Sequence, residues 1–206
     1  MTEAVTPFPP PPSLPDLPEP EPVLTPADVR DGAAVALVVG VAGVLLGALW
    51  AWLAPRVQYV SNGEAVFLRD TESEARIGAD GTFFLLALGL GLLSGLAVFL
   101  WRRRGGVALV VGLAVGACFA SLVGWRTGLW FGPGSDLVAA ATKAGKGVPF
   151  DAPLQLLAHG ALLVWPMTAV LVHLALTAVW SPRDAEPAKD LPPAEYPPAH
   201  VHADPS

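Results

Sequence analysis

Few side chains in this 206-residue chain have the chemistry for a reaction or a ligand: His159, His173, Asp80, Asp151, Cys118, Lys146, the carboxylates of Asp70-Thr71-Glu72-Ser73-Glu74, and the block Arg102-Arg103-Arg104. His159, Asp151 and Asp80 are the one acid–base set that could converge near one surface, as general acid–base catalysis requires, yet no spacing holds them together. His173 lies well inside an apolar run, where an ionisable residue suggests a proton relay or a ligand contact. With no Asp, Glu, Lys or Arg in those runs to exchange protons with, it reads as a neutral hydrogen-bonding group between helices. The alternating carboxylates fail as a calcium loop, because Ala75 stands where glycine is needed and Gly81 where the bidentate glutamate should be. They read as a solvated acidic face. Gly145-Lys146-Gly147 lacks the earlier glycine and the following Ser or Thr of a phosphate loop. Cys118 is the single cysteine, which excludes an intrachain disulfide, and it reads as a small buried filler. No catalytic, cofactor-binding or metal-ligating residue is therefore assigned, and the expectation is a protein that is not an enzyme.

The elements that carry these residues follow from hydropathy. Apolar residues make up 53% of the chain and charged ones 15%, with mean hydropathy +0.52, which is wrong for a soluble domain and right for a small polytopic membrane protein. The net charge of -6 leaves no basic footprint for nucleic acid. Residues 82–125 would span about 66 Å as one helix, roughly twice a bilayer core of about 30 Å. Three adjacent guanidiniums cost on the order of 8 to 10 kcal/mol at the centre of any span, so the run must break at Arg102-Arg103-Arg104, where Gly105-Gly106 permits a tight reversal.

Four spans result, at about 33–53, 82–101, 106–125 and 160–180. Small residues recur every fourth position: Ala36 and Gly40, Gly43 and Gly47 in the first; Ala87, Gly91 and Gly95 in the second; Ala108, Gly112, Gly116, Ala120 and Gly124 in the third. Such faces let neighbouring backbones approach closely. Asp80 or Thr82 is expected to cap the second span. Trp165-Pro166 is expected to kink the fourth near its start. Between the first two spans, residues 57–68 read as a hairpin with a type I′ turn at Asn62-Gly63, pairing Val57 with Leu68 and Tyr59 with Val66. In the second loop, Asp136 can cap a short helix that Gly145 ends, and Val148 to Leu157 forms an apolar approach to the membrane. Residues 1–30, with ten prolines, and 182–206 read as disordered tails. The proline run Phe8 to Pro12 reads as a spacer, with recognition by a proline-reading domain as the alternative. The expected fold is an all-α membrane protein of four transmembrane helices with a small extracytoplasmic β-hairpin.

Basic residues tie at six on each side of the membrane. Position breaks the tie, because the three arginines abut helix ends in a minimal loop, and this places them and both termini in the cytoplasm of a multi-pass cell-membrane protein. Trp50, Trp52, Trp125, Trp130 and Trp165 are expected at the outer boundary, Trp101 and Trp180 at the inner one.

Leu53-Ala54-Pro55-Arg56-Val57, Gly78-Ala79-Asp80-Gly81-Thr82-Phe83, the Arg102 to Gly106 turn, Val148-Pro149-Phe150-Asp151-Ala152-Pro153 and Gly160 to Pro166 give the chain a resemblance. Over roughly Arg30 to Asp184 it resembles actinobacterial four-span membrane proteins grouped in a domain-of-unknown-function family. That resemblance implies an integral membrane protein and carries over no site residue or activity. The function expected is a non-enzymatic scaffold or accessory subunit in the lipid bilayer, meeting membrane or envelope protein partners or self-associating through its small-residue helix faces. The alternative is a permease-like transport component.

Overall fold

The computed structural model describes residues 24–70, 74–102 and 106–180. It is mostly helical, with four long apolar helices and a three-stranded antiparallel sheet at one end of the bundle. The long helices are α1 (Pro26–Leu53), α2 (Ala75–Trp101), α3 (Val107–Phe131) and, after a 3-10 turn at His159–Leu163, α5 (Val164–Trp180). A short α4 (Leu137–Ala144) and strands β1 (Gln58–Ser61), β2 (Val66–Leu68) and β3 (Pro149–Asp151) form the sheet end.

Three helices run beyond their apolar stretches. Local hydrogen bonding extends α1, where Thr25 and Asp28 form a reciprocal capping box ahead of Pro26. Residues 26–30, assigned from sequence to a disordered tail, are therefore helical. Helix α2 begins at Ala75 rather than 82. Asp80 and Thr82 thus lie inside the helix and cap nothing there; Thr82 Oγ donates to the Gly78 carbonyl at 2.8 Å. Helix α3 continues six residues past 125, through Phe131, with Thr127 Oγ donating to Val123 O at 2.6 Å. Hydropathy marks where a helix is apolar, and hydrogen bonds decide where it stops. The rest of the proline-rich tails, the acidic residues 71–73 and Arg103-Arg104-Gly105 lie outside the described residues.

Helix partners are not chain neighbours. The most extensive packing joins α1 to α3, and the next α2 to α5. The small-residue faces make both contacts. A Cβ added at Gly32 would sit 2.5 Å from Ala108 O, one at Gly47 2.5 Å from Gly124 O, and one at Gly116 2.7 Å from Ala36 Cα. In the second pair, a Cβ at Gly91 would meet Trp165 O at 3.0 Å and one at Gly95 would meet Ala169 O at 2.5 Å. These helices touch backbone to backbone, which only residues without side-chain bulk permit. Gly40 stands apart, at ordinary distance from Phe119.

The hairpin differs from its expected register by two residues. Tyr59 pairs with Leu68 and Ser61 with Val66, leaving residues 62–65 as the loop. A type I′ turn needs positive φ at both central positions. Only Gly63 has it, at +98°, and no described non-glycine residue does. Asn62 instead turns the chain with its side chain, Oδ1 accepting from Glu64 N at 2.9 Å and Ala65 N at 2.8 Å. A shift of two keeps every side chain on its expected face. The third strand, β3, pairs with β1 inside the segment read as an approach to the membrane. Asp136 caps α4 and Gly145, at φ +90°, ends it, as the sequence suggested.

Candidate functional site

At the sheet end α1 and α2 are joined by Trp50, whose Nε1 donates to Ala79 O at 2.8 Å and whose ring takes the Phe83 ring edge-on at 5.2 Å. Near the end of α1, Trp50 is turned inward and fully buried in the bundle, while Trp52 beside it is 78% exposed. Away from the sheet, α1 follows α3 and α2 follows α5, so the two helices part. They leave a lateral groove of about 580 Å³. Val35, Val38 and Ala42 form one wall, Leu93 and Ala97 the other, and Trp165 the floor. Trp165 is buried here, with Nε1 donating to Ser94 Oγ at 3.1 Å while Ser94 Oγ donates to Gly91 O. Those polar atoms are satisfied, so the groove presents apolar surface.

An ion pair between Asp31 of α1 and Arg102 ties the two helices together at the end away from the sheet. Asp31 is buried, while the Arg102 side chain is half exposed and its guanidinium lies 5.6 Å from the Trp101 ring centroid. Sequence reading treated the arginine block as a topology signal and did not pair it. The available signal was positional: Asp31 opens one span and Arg102 closes the next, so antiparallel helices bring them to the same end.

The acid–base residues at the sheet end each engage a different partner. Asp80 accepts from Leu157 N at 3.0 Å and Ala158 N at 2.9 Å, fastening the chain just before the 3-10 turn. His159 follows, packed edge-on against Trp125 at 5.7 Å. Asp151 lies exposed in β3, opposite Gln58. His173 of α5 is buried against Phe99 of α2, and its Nδ1 has no hydrogen-bond partner among the described residues. Cys118, read as a buried filler, is exposed on the outer side of α3. Gly145-Lys146-Gly147 turns the chain from α4 into β3, with Gly147 N donating to Ser61 O at 2.8 Å. Pro166 lies in the first turn of α5, where the preceding chain is 3-10 rather than α.

Removing the Asp80 carboxylate should unfasten this segment. Asp80→Ala is expected to lower stability by about 0.5 to 1.5 kcal/mol, the net worth of hydrogen bonds whose exposed donors can turn to water instead. Melting in detergent would show the loss, and limited proteolysis should gain a cut between 152 and 158.

These features define a class: a four-helix bundle whose helices are long and apolar enough to cross a membrane, with a sheet at one end and a lateral apolar groove towards the other. The chain is similar to the uncharacterized protein ML1222 of Mycobacterium leprae, 32% identical over 72% of this chain and 85% of that one. It is 29% identical to the uncharacterized proteins Mb1617 of Mycobacterium bovis and Rv1591 of Mycobacterium tuberculosis, over 69% of this chain and 82% of each. The chain belongs to this mycobacterial family, in line with the actinobacterial resemblance. No family model and no solved structure matches it.

Proposed function

We propose that the protein is a four-span integral membrane protein, with its termini and the Arg102 end in the cytoplasm and the sheet outside, serving as a non-enzymatic scaffold or accessory subunit for an envelope partner. Membrane insertion is supported by the outward helix faces, where Leu37 and Val38 are 69% exposed and Leu171 is 62% exposed. Apolar perimeters of this extent suit lipid and would aggregate in water.

The scaffold role rests on the sheet. Tyr59 accepts from Arg76 of α2 at 3.3 Å, so its face of the sheet is turned to the bundle. Alternate residues point the other way, and the row Phe67, Val60 and Pro149 faces outward with Phe67 half exposed. Asp80 and Trp50 hold this end to the helices, so the row is offered to a partner on a fixed base. The small-residue faces are filled within the chain, leaving the sheet as the contact surface for an envelope protein.

A photoreactive residue at Phe67 is expected to capture one reproducible protein neighbour in intact cells. Capture of lipid alone, or of nothing, would remove the scaffold reading. Threading is tested separately in a Cys118→Ser background. Glu64→Cys, at the exposed turn, should react with an impermeant thiol reagent from outside, and Gly106→Cys should react only after lysis; the reverse pattern would invert the topology.

A further inference from the structure

We infer that the α1–α2 groove is a binding site for one anionic phospholipid, its acyl chains lying against Trp165 and its phosphate held by Arg102. The inference uses the membrane placement proposed above and is independent of the scaffold role. Shape and chemistry select the occupant. The groove runs along Ala34 to Ala42 on α1 and Leu90 to Trp101 on α2, is open at the side and is lined almost wholly by apolar side chains, so flexible hydrocarbon chains can follow its irregular wall.

Charge selects the headgroup. Two carboxylates of α1 face Arg102: Asp31, which contacts one of its terminal nitrogens, and Asp28, which interacts with it at longer range. A guanidinium carries five N–H donors in a planar fork, and half of this side chain remains exposed. The fork can hold Asp31 on one side and a phosphate on the other. The sequence carries Arg30 and Arg102-Arg103-Arg104 here against Asp28 and Asp31, so the positive charge exceeds the negative. Trp101, under the guanidinium and at the groove's mouth, occupies the position of an interfacial aromatic.

Tryptophan quenching by lipids brominated at mid-chain tests this in the full chain, reconstituted in phosphatidylcholine bilayers. At a few per cent of the total lipid, brominated phosphatidylglycerol is expected to quench several-fold more than the same fraction of brominated phosphatidylcholine. The excess should fall in Trp165→Phe, which removes the tryptophan at the groove's floor and leaves Trp101 at its mouth. It should disappear in Ala97→Phe, which fills the groove without altering charge, and in Arg102→Gln, while Arg102→Lys should retain part of it. Equal quenching by the two lipids would overturn the inference, as would an excess that survives both Ala97→Phe and Arg102→Gln. Should Arg102→Gln unfold the protein by stranding Asp31, the Asp31→Asn, Arg102→Gln double variant carries the same test. A protein that is not membrane-embedded would fail earlier, by extracting from membranes in alkaline carbonate, so the two failures are distinguishable.

Discussion

Gly112→Leu is expected to separate α1 from α3 and to cost at least about 3 kcal/mol, the upper range for overpacking a tight contact. A Cβ at this position would lie against the Gly32 carbonyl oxygen, with Gly32 C at 2.7 Å and Gly32 Cα at 2.8 Å. Those are backbone atoms of a helix, which cannot rotate aside as a side chain would. The whole of α1 would have to shift, and with it the neighbouring contacts of Gly43 with Ala120 and Gly47 with Gly124. Gly89→Leu is the control, because a Cβ there meets nothing within 4 Å. In a helix interior, removal of glycine should stabilise by about 0.5 to 1 kcal/mol. Melting in detergent should therefore move in opposite directions for the two variants. Equal melting of Gly112→Leu and Gly89→Leu would refute the observed pairing.

Trp50→Ala is expected to lose about 3 to 5 kcal/mol, as for other large aromatics removed from a core. The indole lies between three helices: it donates to α2 at Ala79, meets Phe83, and fills the space that Gly128 of α3 leaves, where a Cβ would strike its ring. Its loss removes a hydrogen bond and a ring contact that lock α1 to α2 at the sheet end. Trp50→Phe keeps much of the volume but not the N–H, so a smaller loss of about 1 to 2 kcal/mol is expected. Unfolding titrations with a denaturing detergent would rank the three proteins. If alanine at Trp50 melted like wild type while alanine at exposed Trp52 did not, the burial described above would be wrong.

Much of this architecture is written in hydropathy and in glycine spacing. Four apolar runs specify four helices, and the arginines explain why the second and third are separate. The four-residue spacing of small residues identifies the contact faces of α1, α2 and α3. It cannot say which face meets which, because any two smooth faces fit; partner choice depends on depth and bulk, such as Trp50 needing Gly128 and Leu46 needing Gly124. The buried positions of Trp50 and Trp165 were hidden for a similar reason. An indole near a span's end satisfies its N–H at an interface or on a neighbouring helix, and composition does not distinguish the two. Strand β3 is three residues long and pairs with a distant segment, so its own sequence holds almost no signal. The Asp31–Arg102 contact and the groove beside it arise from how the helices diverge, a property of the pairs rather than of any single stretch.

That exchange of partners also sets an order of assembly. Helices α2 and α3 are separated by only five residues of sequence, yet α1 packs chiefly on α3 and α2 on α5. During synthesis from the N-terminus, α1 must wait through the whole of α2 before its complement emerges. Helix α2 then waits through α3, α4 and β3. Contacts this distant in sequence are slow to form and leave smooth glycine faces bare in the interval. The newly made chain is therefore most vulnerable to mispairing and proteolysis before α5 arrives, and a chain truncated ahead of His159 should be degraded even though three of its four long helices are complete.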